Sequence, residues 1–390
     1  MKLLISFGTR PEAIKMAPII AAARSSSRAN VKVCVTAQHR EMLDQVLDLF
    51  DITADYDLDL MRHDQDLTSL SSGVLLGMKD VLKKENPDAV LVQGDTVSTF
   101  ITALASFYQR IPVCHIEAGL RTYNLDAPFP EEGMRQLVTR LSSLHFAPTE
   151  RNRKALLAEG IEDKSIFVVG NTVIDALYWT RDKLAGIPPN RLATAWGRAS
   201  AALESQDRLI LVTGHRRESF GEGLRNVCLA LRDIAERHAD VNILYSVHPN
   251  PNVSVPVEEL LGNISNVYLL PPFDYRSFVY LMHRSYLIIT DSGGVQEEAP
   301  ALGKPVLVTR AVTERHEAVE CGAVKLVGTD RLTIVKETER ILNSESCRAS
   351  FDQHKSLYGS GDAAIRIMNV LGSWLADSPR LAGSEVGAEI

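Results

Sequence analysis

The sequence predicts an α/β protein built from two doubly wound, Rossmann-like domains, each a parallel sheet covered by helices. Three observations carry that prediction. The 390 residues exceed one ordinary core and suit two domains of about 150 to 200 residues each. Short apolar runs alternate with helical patterns almost from end to end, the signature of parallel sheets wrapped by helices. Polar clusters containing glycine follow many of these runs, at the strand ends where open α/β sheets bind ligands.

In the first half the strands are KLLISF, VKVCVT, AVLVQ, VCHIE, LHFAPT and IFVVG; in the second they are LILVTG, NILYSV, NVYLL, YLIITD and PVLVT. The first domain is expected over 1–171, ending near GNTVIDAL, and the second over 172–361. GIPPN and the polar, alanine-rich pattern that follows it, at about 186–206, lead into the second domain. After Trp374 no periodic apolar pattern remains, so residues 376–390 are expected to be a disordered tail.

The formal charge of -7 argues against nucleic acid or a membrane surface as partner, although local basic residues still suit a small anionic ligand. The apolar run before Gly8 is five residues long, too short for a signal peptide or a span, and a cytoplasmic protein is expected. Cys34, Cys114, Cys228, Cys321 and Cys347 are odd in number and lack C-x-x-C spacing, which points away from disulfides and zinc.

The strand-end rule gathers scattered polar residues into sets. In the first half KLLISF runs into Gly8-Thr9-Arg10-Pro11, AVLVQ into Gly94-Asp95-Thr96, and VCHIE ends on Glu117. In the second half LILVTG delivers His215-Arg216-Arg217-Glu218, and YLIITD delivers Ser292-Gly293-Gly294. Thr9 and Glu12 have capping-box spacing and Pro11 suits a first helical turn. Arg10 and Lys15 then sit at the positive end of that helix, as a phosphate or diphosphate clamp would. A single glycine is not G-x-G-x-x-G, so no dinucleotide site is predicted. His215, followed by two arginines at a strand end, reads as a donor to an anion, His145 as structural, and His248 as ambiguous.

Helix phase assigns the acids. In DSGGVQEEAP the stripe Val295, Ala299, Leu302 places Glu298 toward the ligand edge and Glu297 toward solvent. A ligand with a diphosphate for the glycine amides and a diol for Glu298 would fit, as a nucleotide ribose supplies. In PFPEEGMRQLVTRL the stripe Met134, Leu137, Val138, Leu141 leaves Glu131 beside the core face and Glu132 pointing away. Glu131 and Arg135 are also an i, i+4 pair, so an exposed salt bridge is the alternative.

With these residues in place, the chain resembles the non-hydrolysing UDP-N-acetylglucosamine 2-epimerases, of GT-B fold. FGTRPEAIKMAP, TAQHREMLDQVL, GDT, HIEAGLRT, PFPEE, GNTVIDAL, GHRRE, DSGGVQEEAP and LVGTD occur in that family's order and spacing, over roughly residues 1 to 375. The resemblance implies two Rossmann-like domains whose sheets face a central cleft, with a last helix at about 362–375 returning to the first domain. It implies that Ser292, Gly293 and Gly294 hold the diphosphate of UDP, Glu298 the ribose, and Phe273 and Phe278 lie near uracil. Arg10, Lys15, His215 and Arg315 would complete the anion contacts, with Arg135 also among the substrate-binding residues.

The implied reaction inverts C2 by elimination of UDP to 2-acetamidoglucal and re-addition, without cofactor or metal. Asp95 and Glu131 would move the C2 proton, Glu117 would support them, and His215 belongs to the same catalytic set. Crowded carboxylates favour unequal protonation, so one can serve as acid while another is base. The sequence departs from the family pattern at Gln93, Met134, Ser246 and His316, the last of which bears on how Arg315 is presented. Some members bind a second UDP-N-acetylglucosamine as activator; Gln38, Arg216 and His248 match that site, whereas Glu41 and Asp64 do not. A homodimer is implied as well. The alternatives are a hydrolysing 2-epimerase, an epimerase of a related UDP-diacetamido sugar, a GT-B glycosyltransferase, and a catalytically silent sugar-nucleotide sensor.

Overall fold

A computed structural model of the chain describes residues 1–36, 40–61, 66–185, 199–205, 207–214, 216 and 220–377. The chain divides into two compact units, Met1–Ala176 together with the chain from Gly361 in one, and Leu177–Ser360 in the other.

In the first unit the strands are β1 (Lys2–Phe7), β2 (Asn30–Val35), β3 (Tyr56–Asp57), β4 (Ala89–Gln93), β5 (Val113–Ile116), β6 (Leu144–Ala147) and β7 (Ile166–Val168). They form one parallel sheet in the order β3-β2-β1-β4-β5-β6-β7. The unit's helices are α1 (Arg10–Arg24), α2 (Arg40–Leu49), α3 (Leu67–Glu85), α4 (Val97–Tyr108), α5 (Glu131–Leu141) and α6 (Glu150–Ala158), and α7 (Thr172–Leu184) begins in this unit and continues into the second. Leu3, Leu4 and Ile5 of β1 and Val90, Leu91 and Val92 of β4 are fully buried, because helices cover both faces of the sheet. That double burial is why these strands read as unbroken apolar runs.

Register fixes where chemistry can collect. Ile5 lies opposite Leu91, so β1 and β4 end level and release Gly8 and Gly94 side by side. Gln93 lies opposite Ile116, which sets Glu117 beside Gly94. The strand order reverses between β1 and β4, the switch point at which such sheets bind ligands.

The second unit repeats the plan. Strands β8 (Arg208–Gly214), β9 (Val241–Val247), β10 (Val267–Leu270), β11 (Leu287–Thr290), β12 (Val306–Val308) and β13 (Lys325–Leu326) form a parallel sheet ordered β10-β9-β8-β11-β12-β13. Its switch point falls between β8 and β11, where Thr213 pairs with Thr290. Its core joins Ile210, Val212, Ile243 and Ile289 to Leu224, Val227 and Leu231 of helix Glu222–Arg237.

All eleven expected strands are present to within two residues at their ends, giving the two Rossmann-like units of the GT-B class. Two edge strands were not expected, β3 and β13. Each is two residues long, too short to carry a periodic signal.

The C-terminal helix Ala363–Asp377 lies against α1, and its first amides, of Ala363 and Ala364, donate to the Asp175 carboxylate at 3.3 and 2.9 Å. Burial pushes the Asp175 carboxyl up to about 6. The helix continues to Asp377, into the tail expected from 376; residues 378–390 and the GIPPN segment lie outside the described residues. Among the described residues no helix is long and apolar enough to cross a membrane.

Candidate active site

In the first unit the turns after β1, β4 and β5 meet at the switch point. Gly8 is tightly confined, since a Cβ there would overlap Thr36 Oγ1 and Ser98 Oγ. The next residues turn directly into α1, which carries Arg10 in its first turn and Lys15 further along. The Lys15 ammonium pairs with Glu117, which also accepts from Gln93 Nε2 and, at 3.5 Å, from Asn171 Nδ2. Glu117 sits at φ 64°, a left-handed conformation uncommon outside glycine. Strain of about 1 kcal/mol or more at such a position persists only where surrounding contacts hold it, and these donors provide that hold.

Asp95 accepts from Arg135 of α5 at 2.5 Å, and the same guanidinium donates to Glu132 at 3.2 Å. Glu131 opens α5, half-buried, with no hydrogen-bond or ion-pair partner among the described residues. Asp95 and Glu117 thus each face a cation rather than one another. Behind them His115 is fully buried and its Nε2 bonds the Gly94 carbonyl at 2.8 Å, while Gly94 N donates to Ile116 O. The residue before Asp95 is therefore clamped from β5 on both its polar groups. Burial holds the His115 imidazole down at about 3, and its neighbour across the sheet, His145, at about 4.

The helix phase of α5 differs from expectation. Glu132 is fully buried, not turned away: it accepts from the amides of Thr122 and Tyr123 at 2.9 and 3.0 Å and from Gln136 and Arg135. Burial raises its pKa, yet these bonds bring it below the usual carboxylate range. The buried face is Glu132, Arg135, Val138 and Thr139, while Leu137 is about half exposed at 49 %. A satisfied ionic group displaced an apolar one from the core side, which an apolar stripe cannot reveal.

In the second unit Asp291 follows β11 opposite Gly214, and its carboxylate accepts from Arg216 N at 2.8 Å. Ser292-Gly293-Gly294 then lead into helix Val295–Ala301, all seven residues of which are buried. Glu298 accepts from Tyr275 Oη at 2.6 Å, with its second oxygen toward Gly294. Glu297 is not in solvent: it is 4 % exposed and accepts from Arg315 Nε at 2.8 Å. Phase fails here because the helix has no solvent face.

Arg315 also donates to Glu314 at 2.8 Å, and Glu314 binds Arg310 at 3.0 Å. Although burial raises its pKa, Arg315 and Arg310 hold Glu314 down to about 2. The Arg315 guanidinium lies so close to Gly293 that a Cβ there would stand 3.3 Å from it, so glycine is what permits the approach. Phe273 is buried and Phe278 half-buried, flanking the start of helix Tyr275–Arg284, which Asp274 caps through Ser277 N at 2.7 Å. Arg216 and His248 leave the adjacent ends of β8 and β9. His215, Gln38 and Asp64 lie outside the described residues. Among the described residues no group of three or more His, Cys, Asp or Glu is placed to hold a metal.

A family model described as UDP-N-acetylglucosamine 2-epimerase matches residues 21–372. The chain belongs to that family. The UDP-N-acetylglucosamine 2-epimerase of Salmonella typhimurium is 52% identical over 374 residues, 96% of this chain and 99% of the relative. That of Escherichia coli K12 is 52% identical over 95% of this chain and 98% of its own. Among solved structures, the Neisseria meningitidis UDP-GlcNAc 2-epimerase bound to UDP-GlcNAc superposes with a TM-score of 0.88 at 46% identity, covering 96% of this chain and 100% of that one. The Methanocaldococcus jannaschii UDP-GlcNAc 2-epimerase in complex with UDP-GlcNAc and UDP matches at 0.76 and 33% identity, with coverage of 96% and 100%. The sequence places the strand-end residues at the edges where they stand, turns Glu132 and Glu297 outward where both are buried, and does not single out Tyr275. The trace that Tyr275 leaves is its place at a helix start capped by Asp274.

Proposed function

We propose that the protein epimerises UDP-N-acetylglucosamine and UDP-N-acetylmannosamine at C2 by the non-hydrolysing route. A carboxylate takes the C2 proton as the C1–O bond breaks, releasing UDP and leaving 2-acetamidoglucal. Return of a proton to the opposite face of C2 and attack of UDP at C1 complete the inversion. The C2 proton is not next to a carbonyl, so loss of UDP, which builds positive charge at C1, is what weakens the C–H bond.

The observation that carries the reading is the pair of acid–cation contacts at neighbouring strand ends, Asp95 with Arg135 and Glu117 with Lys15, with Glu131 opening the helix that carries Arg135. Carboxylates so fixed suit proton transfer. We assign the C2 proton to Asp95 and Glu131, with Glu117 supporting and His215 in the same set. Arg10, Lys15, His215 and Arg315 serve the diphosphate and its developing charge, with Arg135 also binding substrate; Ser292, Gly293 and Gly294 hold the diphosphate, Glu298 the ribose, and Phe273 and Phe278 border uracil. Family membership and the UDP-bearing relatives support these assignments. In the same reading the protein is a cytoplasmic homodimer supplying ManNAc-type sugars for surface polysaccharide, and Gln38, Arg216 and His248 form an activator site.

Incubation with UDP-N-acetylglucosamine in D2O, followed at C2 by NMR, tests the reaction. The expected result is UDP-N-acetylmannosamine carrying deuterium at C2. Epimer without deuterium removes the proton-transfer scheme, and free N-acetylmannosamine with UDP as main products indicates the hydrolysing reaction.

A further inference from the structure

We infer that Glu12 is a positioning residue for this reaction: its one buried carboxylate ties the turn bearing Arg10 and Lys15 to the turn bearing Asp95. Glu12 stands in the first turn of α1 and is 2 % exposed. Its Oε2 accepts from the backbone amides of Gly8 and Thr9 at 3.0 and 2.7 Å. Its Oε1 accepts from the hydroxyls of Thr96 and Thr99, each at 2.7 Å.

A helix cap needs only the first pair of bonds. The second pair reaches another helix, α4, across the switch point. Thr96 follows Asp95 directly and caps α4 through Thr99 N at 3.1 Å. The Thr99 hydroxyl also lies 2.7 Å from the carbonyl of Gln93, the residue whose side chain donates to Glu117. Strands β1 and β4 are neighbours, but the turns that leave them are far apart in sequence; Glu12 and Thr99 are separated by 87 positions. The carboxylate sets the height of one turn against the other.

Hydrogen counting supplies a sharp test. Thr99 has one hydroxyl hydrogen and two acceptors, Glu12 and Gln93 O. In Glu12→Gln the amide oxygen keeps the two backbone amides, while its NH2 donates to both threonine oxygens and frees the Thr99 hydrogen for Gln93 O. Every bond has a replacement. In Glu12→Ala the two amides and the Thr96 hydroxyl lose the carboxylate as acceptor, and the Thr99 hydroxyl is left with Gln93 O alone, so the bonds between the two turns are gone.

The inference rests on the proposed reaction, so wild type is first shown to place deuterium at C2; failure there counts against the reaction and not against Glu12. Glu12→Ala is then expected to lower kcat by about 10- to 100-fold, the effect of ångström-scale misplacement, with KM and calorimetric UDP affinity within about threefold of wild type. Glu12→Gln should recover turnover to within about threefold, and Thr99→Val should fall between the two. Adding Thr99→Val to Glu12→Ala should lower kcat little further, since both remove one linkage. Wild-type kcat in folded Glu12→Ala overturns the inference, and so does a Glu12→Gln enzyme as slow as Glu12→Ala. If Glu12→Ala does not fold, wild-type turnover in Thr99→Val overturns it.

Discussion

The two units share a strand order and a switch point, yet they dress it with opposite chemistry. At the first, side chains dominate: Asp95 and Glu117 project from adjacent strand ends, each against its own cation. At the second, backbone dominates: Ser292-Gly293-Gly294 form a side-chain-poor turn, kept close under Arg315, while the acids Glu297 and Glu314 bind arginines and not each other. Fixed carboxylates suit proton transfer, and glycine amides beside an arginine suit a diphosphate. In the proposed reading the first unit carries the proton-transfer carboxylates Asp95 and Glu131, while the second carries the glycine turn and Glu298 for the nucleotide, and each of these parts can be broken separately.

The largest expected effect lies in the first unit. Asp95→Asn and Glu131→Gln should each cut turnover by about two orders of magnitude or more, measured as epimer formed at saturating substrate. UDP affinity by calorimetry should stay near wild type. Loss of UDP binding in step with turnover would show that the units do not divide the work in this way.

The converse pattern is expected in the second unit. Glu298→Gln should weaken UDP by about 10- to 100-fold, the range for losing a charged acceptor, while kcat at saturation changes little. Tyr275→Phe, which removes the hydroxyl that bonds Glu298 at 2.6 Å, should weaken it by a smaller factor, about threefold to tenfold. A purely kinetic defect in Glu298→Gln would move that residue to the reaction side.

How far the sequence reveals each unit follows from how burial acts. Strands covered on both faces, such as Leu3–Ile5 and Val90–Val92, announce themselves as apolar runs, while the two-residue edges at Tyr56 and Lys325 do not. Residues at strand ends are legible too, because topology alone brings Gly94, Glu117 and Ser292 to ligand-binding edges. Side-chain direction is less so. Helix phase presumes one apolar and one wet face, and it fails for Glu132, buried by four hydrogen bonds, and for Glu297, in a helix with no wet face. The capping half of Glu12 can be read from spacing; its bonds to Thr96 and Thr99 depend on which strands are neighbours.

The smallest effect separates the units by pH. His115 and His145 titrate at about 3 and 4 in the folded first unit, against about 6.5 when unfolded. A depressed histidine pKa means the unfolded chain binds the proton first, so their contribution is intact above about pH 6.5 and is lost as pH falls, by about 1.4 kcal/mol per unit for each. Asp175 acts with the opposite sign. Its folded value of about 6 lies above the ordinary 3.8, so the folded form gains a proton below pH 6 and offsets about one histidine. The net loss between pH 7 and 5 is about 2 to 3 kcal/mol in the first unit. In the second unit His283 is shifted in the same direction but is exposed, and its contribution is smaller. Hydrogen exchange should show β5 and β6 losing protection between pH 7 and 5 while β8 and β11 change less. His145→Phe should remove about half of the histidine contribution and bring the two units closer together. Equal loss in both sheets of the wild type would place the acid sensitivity outside this histidine pair.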